Sequence, residues 1–529
     1  MRKVAPTSSC YRVHRHGLAW FLSIASLFNV SSMPLTAYLS EYLPWVGRLS
    51  AAESYANYTT FSTAMLAVNQ QLYSSATLPR GVVYLVDDLN DAQVARALLP
   101  LAQPPMDANM CFRTHLLGLP GLIYYTGAHV DLLCSVLQLP NTSSIGKWAN
   151  LGSCFHAQLI TFTLGRSCLW VVPGDAIHNT TNDSSDHVTV YFAYWESRYE
   201  SWVWFKFVYR ICATLFVWNR LWRLYYRHVF ELEARLQISG HRQTMPEGAW
   251  SYQLVVGDPT TIILMDPWVA SLYFLDIWLS VTNLAIAIMQ VTQNGNAKLM
   301  LLSMSYLART VWFAYWGLCL VSFGLKRWQK EHIFGEVDPT LVAIAVTIYG
   351  PVLTWMNGHV EIFTRIYRWT FYCLLPAERR SQEIESALGC VIYAGLITCI
   401  PLLYGLIAPH VPQFQRHSTV EYSSFHFNNV KTRVAFGLAR ALYHEPRLQS
   451  RGGNLHRAFA AIPRLKQCPT ISLRSTDCFV LCYCDGHLHE KLRLSLLDSL
   501  DRTHTEIPRA ATSSEFVVNV LAKPDGTLL

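Results

Sequence analysis

The chain has 529 residues, of which 51% are hydrophobic and only 15% are charged. Soluble globular proteins are usually about a quarter charged, so this composition argues against an ordinary soluble domain. The net charge of +7 does not imply nucleic acid, because basic residues that flank membrane helices on the cytoplasmic side explain it. We therefore expect a polytopic α-helical membrane protein with about six transmembrane helices, and an α+β extracytoplasmic domain between helices 1 and 2.

The N-terminal region allows two interpretations. Residues 1–16 are polar and are predicted to form a cytoplasmic N-terminus, and the apolar run GLAWFLSIASLFNV follows from Gly17 to Val30. Its 14 residues suit the core of a cleaved signal peptide. Extended to Leu39, the run is long enough to span as an uncleaved signal-anchor, residues 17–39, which is the favoured alternative. Both interpretations place the following segment outside the cytosol.

Residues 40–200 contain no spanning run and are predicted to form a glycosylated ectodomain. They carry four N-x-[ST] acceptor sites, and the chain after position 200 carries none; the sites are Asn57, Asn141, Asn179 and Asn182. Four cysteines in the same segment predict two disulfides outside the cytosol, with three pairings open; they are Cys111, Cys134, Cys154 and Cys168.

Local patterns within the ectodomain predict a mixed α+β structure. Helices are predicted at residues 54–72, at 87–101, where Asp87 or Asp88 caps the start, and at 129–140. Strands are predicted where β-branched and aromatic residues are dense, at residues 81–86, 156–163, 168–172 and 188–195.

The remaining membrane helices are predicted from apolar runs of suitable length. The clearest is a hairpin of two helices, 263–291 and 299–325, around the turn Asn294-Gly295-Asn296. The others are 201–222, 340–356 and 386–409. Arginines at 220, 223 and 227 make the following loop, 223–262, cytoplasmic. Lys206 is expected to snorkel to the outer interface, whereas Arg210 lies about two turns deep.

Two segments are harder to place. Residues 357–385 are predicted to form an interfacial or re-entrant segment, with Glu361 and Arg365 paired along a helix; a seventh crossing is the alternative. Residues 410–529 hold 15 Lys and Arg and no acceptor site, so they are predicted to be a cytoplasmic tail, partly disordered, with a short basic helix at 431–445.

Polar residues inside the hairpin are the main candidate site. Four of them lie at spacings that map to one face of a continuous helix: Asp276, Ser280, Asn283 and Gln290. Such a line indicates either an ion, proton or solute path or hydrogen bonding between helices. Counting from the turn, Arg309 lies about 7.5 Å of helix rise from the level of Asp276, which predicts an intramembrane Asp276–Arg309 pair. The alternative is Arg309 bound to backbone carbonyls or water.

Two other clusters contain residue types that bind metals, but neither has an established metal-binding spacing. The first comprises Asp175, His178, Asp183, Asp186 and His187, for which a glycosylated loop tip is the favoured interpretation. The second comprises Cys478, Cys482, Cys484, His487 and His489, for which palmitoylation or plain thiols are favoured over zinc.

No nucleotide-binding, hydrolase or metalloprotease signature occurs, so an enzyme is not expected. The order of one helix, a large glycosylated domain and five further helices resembles polycystin-type cation channels in layout. A channel or transporter of ions or small polar solutes is therefore weakly favoured, the alternative being a cell-surface receptor or adhesion protein. The lipid bilayer is the expected partner, a homo-oligomer is compatible with this, and no nucleic acid, cofactor or metal is expected. The expected location is the endomembrane system or the plasma membrane.

Overall fold

The structure is a computed structural model. It describes residues 11–46, 83–87, 92–101, 108–119, 127–139, 151–159, 162–174, 187–196, 199–239, 249–292, 296–374, 384–410, 450–452, 462–496 and 499–501, with a few single positions between them.

Two β-sheets are present in the described part of the chain, and a layer of helices connects them. The strands are β1 Arg12–Arg15, β2 Val83–Asp87, β3 Ala92–Pro100, β4 Leu151–Leu159, β5 Phe162–Pro173, β6 His187–Glu196, β7 Trp250–Val255, β8 Ile384–Glu385, β9 Ser450–Gly452, β10 Cys478–Cys484 and β11 His487–Leu494. Sheet I has the order β2-β3-β6-β5-β4-β8, and sheet II has the order β1-β7-β10-β11-β9.

Sheet I is formed mainly by the segment predicted to be the ectodomain. Its main strands are antiparallel neighbours, and the short β8 joins β4 in parallel from far along the chain. The helix predicted at residues 87–101 is wrong, because Ala92–Pro100 is a strand paired on both sides. Its alanines and leucines suit a helix locally, but pairing with two neighbouring strands overrides that weak preference.

The other ectodomain predictions have mixed outcomes. The strands predicted at 168–172 and 188–195 lie within β5 and β6, and the helix at 129–140 corresponds to Gly127–Leu137. The strand predicted at 156–163 is only partly right, because β4 ends and β5 begins within it. The helix predicted at 54–72 lies outside the described residues.

Sheet II joins three distant parts of the chain. β1 precedes the first helix and pairs in parallel with β7, and β7 pairs with β10 of the tail. β10 and β11 form a hairpin whose turn residues Asp485 and Gly486 both have positive φ, 51° and 82°, the geometry that matches strand twist in a two-residue hairpin. Cys478–Leu494 of the tail is thus regular β-structure, for which the sequence analysis predicts no strand. β10 is buried along most of its length, so it lacks the alternation by which a half-exposed strand is recognised.

The helices are α1 Gly17–Ser31, α2 Ala108–Cys111, α3 Gly127–Leu137, α4 Glu200–Leu221, α5 Arg227–Ser239, α6 Thr260–Met265, α7 Pro267–Trp278, α8 Val281–Thr292, α9 Ala297–Ala308, α10 Val311–Trp328, α11 Pro339–His359, α12 Glu361–Leu374 and α13 Ser386–Ile407. A π-helical turn, Trp222–Tyr226, joins α4 to α5, so the first part of the predicted loop 223–262 is helical.

Three helical stretches of the described chain are long and apolar enough to cross a membrane. They are Ala297–Trp328, which combines α9 and α10, Pro339–His359 and Ile392–His410. α7 and α8 together would form a fourth, but they are bent by 71° at a short break. α1 is apolar but has only 15 residues. The chain is thus helix-rich, with a membrane-spanning potential concentrated in its second half.

Contacts at helix ends connect the helices to one sheet or the other. At the start of α11, Val337 forms a β-bridge with Ile471 of the tail. At its end, the Gly358 carbonyl accepts a hydrogen bond of 2.9 Å from the Gly118 amide, near sheet I. Similarly, α13 directly follows β8 of sheet I. α11 and α13 therefore run between the two sheets, and the Gly350-Pro351 pair does not interrupt α11.

α12 lies on the sheet I side. Glu361 forms the predicted ion pair with Arg365 at 2.6 Å, and it also contacts Arg113 at 3.0 Å. Ile362, Ile366 and Trp369 are more than half exposed, and their spacing places them on one helical face.

Candidate functional site

The predicted hairpin contains a sharp bend at the level of its charged residues. α7 ends at Trp278 and α8 begins at Val281, and their axes differ by 71°. The prediction that Asp276, Ser280, Asn283 and Gln290 share one face of a continuous helix is therefore wrong. In the facing arm, α9 ends at Ala308 and α10 begins at Val311, and the two continue as one helical stretch with Arg309 at their junction.

Asp276 and Arg309 form an ion pair between the bend and this junction. The Nη2 atom of Arg309 donates to Oδ2 of Asp276, as the spacing from the turn predicts. Both side chains are almost completely buried, with 3% and 4% of their surface exposed.

Arg210 of α4 links this pair to a second carboxylate. Its Nε donates to Oδ1 of Asp276 at 2.7 Å, and its two Nη atoms donate to Glu41 at 2.9 and 2.8 Å. One Nη also donates to the Ser280 hydroxyl at 2.8 Å. The guanidinium is fully buried, and all three of its nitrogens are therefore hydrogen-bonded to oxygen.

Three more side chains complete the charge network. Lys206 Nζ lies 3.0 Å from Glu41 and donates to the amide oxygen of Asn283 at 3.3 Å. The Tyr306 hydroxyl donates to Glu41 at 2.6 Å, and Arg309 Nη1 is 3.8 Å from the same carboxylate. The amide nitrogen of Asn283 donates to Glu196, which extends the network toward sheet I.

The electrostatics of this network explain why it can be buried. Within the described residues, Lys206, Arg210 and Arg309 surround Glu41 and Asp276, and each charge has an opposite charge in contact. Taking a single ion out of water costs several kcal/mol, and removing one partner of a buried pair typically costs about 3–5 kcal/mol. Loss of any one member would therefore leave a buried charge without its partner.

Sequence reasoning missed two features of the network. Lys206 was expected to snorkel to the interface, but only 6% of its side chain is exposed, because Glu41 neutralises it within the helical layer. Glu41 was not singled out, since it follows the predicted first helix by two residues. One feature of the sequence points to Glu41 as a candidate site residue. It is the first acidic residue of the chain, and it lies next to a predicted membrane span.

Gln290 belongs to a separate site. Its amide nitrogen donates to Gln93 of β3 at 3.1 Å, and its amide oxygen accepts from the Ser303 hydroxyl of α9. Gln290 therefore joins the turn end of the hairpin to sheet I. For this residue the contacts fit hydrogen bonding between a helix and its neighbours, which is the alternative to an ion, proton or solute path.

A second buried ionic cluster lies in sheet II. Asp477 accepts from Arg493 Nε at 2.6 Å and lies 2.9 Å from His456 Nε2. Burial alone would raise the pKa of Asp477, but the charges of Arg493 and His456 outweigh it and lower the pKa to about 2. All three side chains are at most 5% exposed, and their contacts with one another account for their burial.

The remaining candidate residues are placed as follows. Cys111 is bonded to Cys134, and Cys154 to Cys168, which gives one of the three pairings left open. In the tail, Cys478 contacts the Tyr225 hydroxyl at 3.3 Å, and the described residues contain no metal-binding group of three or more His, Cys, Asp or Glu. All four glycosylation acceptors lie outside the described residues, as do the loop residues Asp175, His178, Asp183 and Asp186.

Comparisons of the chain with protein-family models, with curated proteins and with solved structures found no match. The function is therefore argued from the geometry of the chain.

Proposed function

We propose that this chain is an integral membrane protein of six crossings that transports ions or small polar solutes, with the charge network as the functional centre. The crossings would be α1 with the following turn, α4, the α7–α8 pair, the α9–α10 pair, α11 and α13. In this arrangement sheet I is extracytoplasmic, and sheet II lies in the cytoplasm.

Sheet II supports an even number of crossings. It combines β1 before the first crossing with β10 and β11 of the tail, so both ends of the membrane region lie on one side. A seventh crossing would place the tail opposite β1, so these strand pairs favour six crossings over seven. The same pairing supports an uncleaved signal-anchor, as does the hydrogen bond of 2.9 Å from the Tyr273 hydroxyl to the Val30 carbonyl.

Sheet I supports the extracytoplasmic assignment. Both disulfides belong to its side of the molecule, and disulfides persist in oxidising compartments outside the cytosol. The four acceptor sites fall in the same part of the sequence, which supports a glycoprotein of the endomembrane system or the plasma membrane. α12 fits an interfacial helix, because its exposed apolar face would contact lipid.

The observation that carries the transport proposal is the bend between α7 and α8 beside the buried network. Interrupted backbone at membrane depth is tolerated only where protein or a water-filled cavity surrounds it. In secondary transporters, interrupted helices and charged residues near mid-membrane form the substrate and ion sites. Here Asp276 and Ser280 lie at the bend between α7 and α8, and Arg309 at the α9–α10 junction binds Asp276, which supports a polar site at this level.

Flux through reconstituted protein tests this proposal. The purified chain is placed in liposomes that contain a pH-sensitive dye, and proton, potassium, chloride and acetate gradients are applied in turn. We expect at least one gradient to discharge faster than in protein-free liposomes. Asp276→Asn, which keeps the side-chain volume and removes the charge, should lower that rate by about tenfold or more, as expected for charges that line an ion pathway.

Glu361→Gln on α12 is the matched control, because it removes a carboxylate that pairs with two largely exposed arginines outside the network. It should retain the wild-type flux. Wild-type protein that discharges none of the gradients, or Asp276→Asn with unchanged flux, would contradict the transport proposal.

A further inference from the structure

Three cationic side chains converge on the single carboxylate of Glu41. Lys206 and Arg210 contact it at 3.0 and 2.8 Å, and Arg309 approaches to 3.8 Å. The Tyr306 hydroxyl donates a fourth interaction at 2.6 Å. These groups come from α4, α9 and the junction before α10, so a rigid set of donors surrounds one small anion.

The two arginines are also held by a group other than Glu41. Asp276 binds Nε of Arg210 at 2.7 Å and also binds Arg309. This leaves the two Nη atoms of Arg210 pointing at the two Glu41 oxygens, at 2.9 and 2.8 Å. Such a two-pronged contact matches the geometry of a planar carboxylate. Asp276 is therefore a positioning residue for an anion site.

Glu41 itself is attached differently from the donors. It follows the short 3-10 helix Leu35–Leu39 and is held at the backbone by one bond of 2.9 Å, from its amide to the Ala37 carbonyl. The residues that surround it belong to long helices, whereas Glu41 is on a connecting turn. The carboxylate therefore enters the set of donors from a connecting turn, on which Tyr38 and Trp45 pack against Phe207 of α4.

We propose that Lys206, Arg210, Arg309 and Tyr306 form a binding site for a small carboxylate anion, which Glu41 occupies in the structure. This inference rests on the proposed function and names its substrate class. Exchange of Glu41 for a free carboxylate leaves the charge of the site unchanged. Entry of the anion therefore does not leave a buried cation without its partner, which is the costly step in a desolvated site.

Chemical rescue of a variant without the Glu41 carboxylate tests the site. Glu41→Ala leaves three cations facing Asp276 alone and should lower the Tm of the full-length protein in detergent. Sodium acetate and formate should then raise the Tm saturably, by at least about 3 °C above equal concentrations of sodium chloride, since a ligand that binds only the folded state stabilises it.

The controls separate specific binding from salt effects. The wild type should show a smaller acetate-specific rise than Glu41→Ala at the same ionic strength, because acetate must first displace Glu41, and Glu361→Ala, whose carboxylate lies outside the network, should behave like the wild type. If Glu41→Ala does not fold, Glu41→Gln is the second variant, and the same acetate-dependent rise is expected because the uncharged amide is displaced by a carboxylate.

Equal responses of the Glu41 variants to acetate and chloride would overturn the proposal. Failure of both variants to fold in acetate would assign Glu41 a purely structural role and would overturn it as well. The experiment measures binding without any flux, so rescue by acetate together with inactive liposomes would retain the anion site and reject only transport.

Discussion

Asp477 in sheet II carries a negative charge that the fold strongly favours. Its pKa falls from 3.8 to about 2 because the charges of Arg493 and His456 outweigh the cost of burial. A carboxyl with a lower pKa in the folded than in the unfolded state stabilises the fold above its unfolded pKa. That contribution is lost as the pH falls from about 4 towards 2.

Asp477→Asn should therefore lower the free energy of unfolding by about 2 kcal/mol at neutral pH, the equivalent of the shift in pKa. The difference in Tm between wild type and variant, measured from pH 7 down to pH 2, should shrink as the pH falls from about 4 towards 2, where the carboxyl of the folded wild type becomes protonated. Asp131→Asn, at an exposed position of α3, is the control. A difference between wild type and Asp477→Asn that stays constant over the whole range would contradict this account.

Some residues of the charge network can be recognised from the sequence, and others cannot. Asp276 and Arg309 were found together because a turn between two apolar helices fixes their relative height. The contacts of Arg210 and Glu41 depend on how separate helices pack, and spacing along the chain carries no information about that. Arg210 was noticed for its depth in a predicted span, but its partners were not.

Among the helices, α10 and α13 approach each other closely at Gly317. A β-carbon added there would overlap the Cγ2 atom of Thr398, and the Thr398 hydroxyl donates to the Phe313 carbonyl at 3.1 Å. Small residues permit such close helix contacts in membranes. The position of Gly317 in α10 is thus explained by packing against α13.

Gly317→Ala should destabilise the protein by about 1–3 kcal/mol, because the branched Thr398 side chain must move to make room. Gly395→Ala, on α13 with nothing within 4 Å of an added β-carbon, should be neutral or stabilise by up to about 1 kcal/mol. Thermal unfolding of both variants in the same detergent checks the comparison. Equal loss of stability in the two would show that Gly317 is not a packing position.

Elements were predictable where their pattern is strong and local. The long apolar runs correspond to α4, α7 to α11 and α13, because length and hydropathy alone identify such helices. The bend between α7 and α8 was not predictable, since the apolar run continues through it without proline or glycine. β3 was mistaken for a helix because its alanines and leucines suit a helix locally, and although β2 directly precedes it, its other partner β6 lies far along the chain.

Across the whole molecule, sheet II unites the N-terminal strand, the segment before α6 and the tail. Nothing in these short stretches identifies their partners, because strand pairing over hundreds of residues is set by the fold and not by local preference. Similarly, β8, which directly precedes α13, pairs with β4 of sheet I. The central claim rests on these two sheets. It is that the helices cross a membrane, with sheet I on one side and sheet II on the other.

Epitope accessibility in sealed cells tests that claim most directly. One tag is inserted directly after Leu374, at the end of α12 on the sheet I side, and another is placed after Leu529, following the tail strands of sheet II. Antibody should reach the first tag on intact cells, or in the lumen of sealed organelles, and should reach the second only from the cytosol. Tags that are accessible from the same side, or a protein released by alkaline carbonate, would contradict the account.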